Sequence, residues 1–202
     1  MELFIIRHGQ SEANVVTYDM PDPELTALGR KQAEEVSECM KEVKLDHLLS
    51  SPLIRAIDTA LPLAKKLDMP IEIWKYTYEE RGLSPYRGPT KEALQKRYAP
   101  MRFHNEMEPE GWYYPGEETS ESAQLRSDLV YEDLLAEYRG KRVALFAHGN
   151  FNRRLLLSFL GNKHDSQIYF DKSNGSIYHV SIKESQKTIH YMGEMNRMFN
   201  KL

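Results

Sequence analysis

The chain is 202 residues long, 41% hydrophobic and 28% charged, with a formal net charge of -3. That length suits one ordinary domain with a real core, and so mild a charge argues against a nucleic-acid or membrane partner. A single cysteine, Cys39, excludes an intrachain disulfide and a four-cysteine zinc site, and suits a reducing compartment. Residues 3–6 are too short for a signal-peptide core, and no basic residue precedes them. No apolar run approaches the ~20 residues of a membrane span. The expectation is a soluble, cytoplasmic protein.

Residues 3–6 read as a short, fully buried strand. Thr26 offers an N-cap to a helix whose apolar positions Ala33, Val36, Met40 and Val43 follow helical spacing. Residues 47–49 read as a second strand. Ser51 offers the next N-cap, with Pro52 at the first helical position and Leu53, Ile57, Ala60 and Ala64 turned inward. Pro62 lies deep enough in that helix to predict a kink or a break. A third strand follows at 71–74. Residues 81–118 are rich in Gly, Pro, Arg, Tyr and Trp, have a helical period only at 90–98, and read as an inserted cap packed on the main body. Beyond it come a long helix over 119–138, a fourth buried strand at 143–147, and a helix with Phe151, Leu155 and Phe159 on one face. Two late strands, at 177–182 and 188–191, read as antiparallel neighbours. This alternation predicts an α/β fold: a three-layer α/β/α sandwich with a mostly parallel central sheet, helices on both faces and a small inserted cap, in one domain over 1–202.

Ligands in such sheets bind beyond the carboxyl ends of the strands. The first predicted strand ends Ile6-Arg7-His8-Gly9 and the fourth ends Phe146-Ala147-His148-Gly149. Two His-Gly pairs, each closing a buried strand, fall on the same edge of one sheet.

With these pairs in place, further segments resemble the histidine phosphatase superfamily, the phosphoglycerate-mutase-like fold, in order along nearly the whole chain. RHGQSEAN looks like its opening Arg-His-Gly signature, and LTALGRKQA is similar to its Leu-Thr-x-x-Gly-x-x-Gln-Ala helix start. SSPLIRAIDTA resembles its Ser-x-Leu-x-Arg-Ala segment, ERGLSPYRG its acid-bearing loop, and FAHGNFNRRLLLSFLG its second His-Gly and following helix. The resemblance implies a phosphohistidine intermediate at His8, with inversion at phosphorus in each of two steps. Arg7 and Arg55 would grip the non-bridging oxygens, as planar, permanently charged, bidentate donors do. His148 would be the second imidazole at the phosphoryl group. Asn14 matches an amide donor of the family pattern. Ser11, Gly149 and Arg81 are further candidate substrate contacts, with Gln10 beside them.

The acid is Glu79 or Glu80. Glu80 stands eight residues before Gly88 and is followed by Arg81, as in the mutase branch, which favours Glu80. Seven histidines show no metal-ligand spacing, and Asp19, Asp22 and Glu24 lack that of a calcium loop, so no metal or cofactor is expected. Three departures from the family pattern bear on the substrate: the stretch VVTYDMPDPE, Asp58 before Thr-Ala, and Asn150 where Gly is frequent. The short chain favours a phosphatase over a bisphosphoglycerate-dependent mutase. The expected ligand is a small phosphorylated metabolite chosen by residues 81–118. A mutase, a phosphoprotein phosphatase and a non-catalytic phospho-ligand or protein-binding module are the alternatives.

Overall fold

In the computed structural model, strands β1 (Glu2–Arg7), β2 (His47–Ser50), β3 (Ile71–Ile73), β4 (Tyr86–Arg87), β5 (Met101–Phe103), β6 (Tyr113–Tyr114), β7 (Arg142–Ala147), β8 (Ile177–Lys183) and β9 (Gln186–Gly193) alternate with helices. The helices are α1 (Ala27–Met40), α2 (Ile54–Leu67), α3 (Lys91–Tyr98), α4 (Ser120–Glu137) and α5 (Gly149–Leu160). The structure describes residues 1–16, 20–80, 85–98, 100–104, 106–161 and 167–193. Seven strands form one sheet in the order β5-β3-β2-β7-β1-β8-β9. Only β8 opposes the common direction, since it pairs antiparallel with both β1 and β9 while the remaining pairs are parallel.

The unbroken apolar run of β1 has a simple cause: both of its faces are covered. Leu3 and Ile5 face one way and pack with Val130 and Leu134 of α4 and Phe151, Leu155 and Phe159 of α5. Phe4 and Ile6 face the other way and pack with Val36 and Met40 of α1 and Ile57, Ala60 and Leu63 of α2. The three-layer α/β/α sandwich is thus present. Thr26 caps α1 by accepting from the Gly29 amide at 3.1 Å, and Thr119 caps α4 by accepting from Ser122 at 3.1 Å. Among the described residues no helix is long and apolar enough to cross a membrane.

Three expectations are corrected. First, α2 starts later than the Ser51–Pro52 signal indicated, with Leu53 at the cap position. The Ile54 amide is met from outside, by Asp22 Oδ1 at 2.8 Å, while the Ser51 hydroxyl is drawn to His148. Second, α2 is not broken at Pro62 and continues to Leu67. Ile57, Ala60 and Leu63 are fully buried on either side of the proline, and that packing outweighs one lost backbone bond. Third, the segment 81–118 is not a cap throughout. Strand β5 joins the main sheet beside β3, and α3 buries Leu94 and Tyr98 against the same body. What remains apart is the two-stranded ribbon of β4 and β6, whose Tyr86 and Tyr114 pack with Leu53, Tyr78 and Trp112.

Candidate active site

Strands β1 and β7 are neighbours in register, with Arg7 opposite Ala147. His8 and His148 therefore leave the sheet side by side, and the His8 amide donates to the Ala147 carbonyl at 3.0 Å. Their rings lie 5.2 Å apart between centroids, and both are buried. The turn after His8 is held on all sides. The Gly9 amide donates to Thr59 Oγ1 at 3.0 Å, and Asn174 Nδ2 donates to the His8 carbonyl at 3.1 Å. A Cβ on Gly29 would stand 1.9 Å from the Gln10 carbonyl oxygen, and one on Gly9 would stand 2.4 Å from that of Gly29. Only paired glycines let the start of α1 approach this turn so closely.

His8 Nδ1 lies 2.6 Å from the Gly9 carbonyl oxygen, which can only accept, so the ring proton sits on Nδ1. Nε2 keeps its lone pair and accepts from Arg55 Nε at 3.3 Å. Burial, then the charges of Arg55 and Arg7, hold the His8 pKa well below the ordinary imidazole range. His148 is lowered in the same sense, by burial first and then by Arg55, His8 and Arg7. Its Nε2 meets Ser51 Oγ at 2.7 Å. Among the described residues, His148 Nδ1 and Arg7 Nε are buried without a hydrogen-bond partner. Most buried polar atoms in a native fold are hydrogen-bonded, so two unpaired ones at one site are candidate contacts for a ligand. Burial lowers the Arg7 pKa, opposed chiefly by the charge of Glu79.

The two candidate carboxylates part ways here. Glu79 Oε1 accepts from the Phe151 amide at 3.0 Å and the Glu80 amide at 2.9 Å, and its Oε2 accepts from Asn150 at 3.3 Å. It is thus fixed at the N-terminus of α5, directly after His148. The Glu80 carboxylate is taken by Arg154, one turn further along α5, with Nε and Nη2 donating at 3.1 and 3.0 Å. Arg7, His8, Arg55, His148, Gly149 and Glu79 come together. Ser11 and Asn14 are tied into the turn: Asn14 Oδ1 accepts from the Ser11 amide at 3.0 Å, Ser11 Oγ at 3.2 Å and Asn174 Nδ2 at 3.2 Å. Gln10 Oε1 accepts from Thr26 Oγ1 at 2.8 Å. Arg81 and Asp19 lie outside the described residues. Among the described residues no group of three or more His, Cys, Asp or Glu side chains is placed to hold a metal ion.

The histidine phosphatase superfamily (branch 1) profile matches residues 3–195. The chain belongs to this superfamily. It is 29% identical over 165 residues to the uncharacterized phosphatase PhoE of Bacillus subtilis, covering 81% of this chain and 79% of that one. It is 26% identical over 192 residues to phosphoserine phosphatase 1 of Hydrogenobacter thermophilus, covering 94% and 90%. Phosphoglycerate mutases stand at comparable identity. The solved phosphoserine phosphatase of Entamoeba histolytica, in complex with 3-phosphoglyceric acid, shares the fold at a TM-score of 0.70, with 21% identity and 98% of each chain covered.

Four residues at the site of this histidine phosphatase escaped the sequence reading. Ser51 read as a helix cap, yet it bonds His148. Thr59 figured only in the Thr-Ala pair after Asp58, yet it takes the Gly9 amide. Asn174 and Lys172 belong to the connection before β8, where no periodicity draws the eye. The Asn174-Gly175 pair was the one available signal, since such a dipeptide marks a tight turn.

Proposed function

We propose that this histidine phosphatase hydrolyses small phosphate monoesters through a phosphohistidine at His8. The observation that carries the reading is His8 itself: a buried imidazole with its proton fixed on Nδ1 and the Nε2 lone pair beside Arg55. Phosphate monoester hydrolysis asks a catalyst for ~20 kcal/mol or more, which calls for a nucleophile, dense positive charge and an acid. In the first step Nε2 attacks phosphorus, the P–N bond forms and the P–O bond to the alcohol breaks. Arg7 and Arg55 take the non-bridging oxygens. His148 adds a donor from Nδ1, with Ser51 holding Nε2. Glu79, rather than Glu80, gives the departing alkoxide its proton, because Glu79 stands against the start of α5 while Arg154 occupies Glu80. In the second step water attacks phosphorus, its proton goes to Glu79, and the P–N bond breaks to release phosphate and neutral His8. The scheme asks for no metal ion. The lone Cys39, whose thiol burial pushes up to about 11, fits a cytoplasmic enzyme.

The test is hydrolysis of p-nitrophenyl phosphate in excess EDTA. His8→Ala is expected to cut turnover by about a thousandfold or more with the fold retained by circular dichroism. Full turnover by His8→Ala would remove His8 as the nucleophile. Transfer of the phosphoryl group to a second substrate hydroxyl is the alternative, favoured by the mutases among the relatives. Phosphorus NMR of 3-phosphoglycerate incubated with the enzyme separates the two, since a mutase yields the 2-isomer and a phosphatase yields inorganic phosphate.

A further inference from the structure

Arg126, on α4, is a buried cation that the mechanism above does not use. Its Nε and Nη2 donate to the two oxygens of Glu118, each at 2.7 Å. Its Nη1 donates to two main-chain carbonyls, that of Tyr76 at 2.7 Å and that of Tyr78 at 3.0 Å. The planar group lies over the Tyr78 ring, 3.9 Å from its centroid, and 5.4 Å from the centroid of Phe151. A buried ion pair is weak evidence for stability, because apolar groups of similar volume can fill the same space as well. The fork to Glu118 alone therefore does not explain a charge inside the fold. The bonds from Nη1 do, because they lead to the acid. Glu79 follows Tyr78 directly, so the carbonyl that Arg126 holds belongs to the peptide that carries Glu79. The Glu79 carboxylate in turn is received by the amide of Phe151, whose ring Arg126 also faces. Arg126 thus meets both sides of the seat of Glu79: the main chain from which it projects and the residue that receives it. Lysine is no equivalent there, since a point charge with three rotatable donors does not reproduce four bonds set by one plane.

We infer that Arg126 is a positioning residue for Glu79. It keeps segment 76–78 against the first turn of α5, so that the Glu79 carboxyl meets the departing oxygen of the substrate. The inference rests on the reading of Glu79 as the acid. A misplacement of about 1 Å at a reacting group can cost about a hundredfold in rate, so a residue that never touches substrate can still control this step.

The test separates positioning from stability by a paired substitution. Arg126→Met made together with Glu118→Met removes both charges and leaves no carboxylate buried alone. The pair is expected to lower kcat on glycerol 3-phosphate about tenfold to a hundredfold with KM little changed. On p-nitrophenyl phosphate, whose leaving group needs no proton, kcat is expected to fall by less than about threefold. Arg126→Lys, with Glu118 kept, is expected to fall between the parent and the pair. Glu118→Gln keeps the Nη1 bonds, and is expected to lower Tm while leaving the ratio of the two kcat values within about twofold of the parent. Adding Glu79→Gln to the paired variant is expected to cost no more on glycerol 3-phosphate than Glu79→Gln alone, since both act through one proton transfer. A ratio unchanged by the paired substitution, or losses that multiply when Glu79→Gln is added, overturns the positioning role and leaves Glu79 as the acid. Equal losses on both substrates from Glu79→Gln alone remove the acid reading, and the positioning role with it.

Discussion

Glu79 and Glu80 are adjacent, yet they take different partners on the same helix. One meets the first amides of α5 and the other meets Arg154 a turn later. Spacing within the family pattern points to Glu80, whereas the partner each carboxylate takes depends on how this segment docks on a helix some seventy residues on. The arginines and histidines of the site were legible for the opposite reason: each closes a strand or opens a helix within a recognisable run, so its placement is local. Glu79→Gln is expected to lower kcat on alkyl phosphates about a hundredfold or more, with a much smaller effect on p-nitrophenyl phosphate, whose leaving group needs no proton. Glu80→Gln leaves Arg154 unpaired and is expected to cost far less on both substrates. The reverse ranking in steady-state assays returns the acid role to Glu80. Ser51→Ala frees the His148 ring and is expected to lower kcat about tenfold with KM little changed, read in the same assay.

At the scale of elements, period and capping located the helices α1, α4 and α5 and the buried strands β1, β2 and β7, because each is long enough to carry a pattern. Strands β4, β5 and β6 have two or three residues and no pattern to read; their pairing partners, not their sequence, make them strands. The meeting of α1 with the Gly9 turn gives a sharp test. Gly29→Ala puts a methyl group 1.9 Å from a backbone oxygen, so either α1 or the turn carrying His8 must move. Destabilisation of about 2 kcal/mol or more is expected by urea denaturation, with a fall in kcat in the fraction that stays folded. Pro62 offers the converse. It interrupts the backbone ladder of α2 without ending the helix, so Pro62→Ala is expected to raise the unfolding free energy by about 1 kcal/mol or more, visible as a higher Tm.

For the whole molecule, two neutral imidazoles at the centre make folding sensitive to pH. In the folded state His8 and His148 resist protonation, mainly through burial and then through neighbouring positive charge. In the unfolded chain each titrates near 6.5. Between the lowered folded values and 6.5 the unfolded state binds more protons, so stability is fully present above about 6.5 and is lost as the pH falls below it. The slope approaches ~1.4 kcal/mol per pH unit for each histidine. Urea melts at pH 7.5 and pH 5.5 check this, with the lower pH expected to be the less stable by at least about 1 kcal/mol; a flat profile contradicts neutral buried rings.

The central place of β1 has a consequence in time. Its neighbours are β7, beginning at Arg142, and β8, beginning at Ile177. A chain growing from its N-terminus makes Leu3, Phe4, Ile5 and Ile6 first, yet neither strand that pairs with them exists until most of the molecule has been synthesised. Until then β1 has no ladder partner, even where α1 and α2 are already made and can cover Phe4 and Ile6. When β1 pairs with β7 it carries Arg7 and His8 to His148 in the same movement. Completing the core and creating the reactive centre are thus one event, and in refolding the return of activity should keep pace with the last and slowest phase.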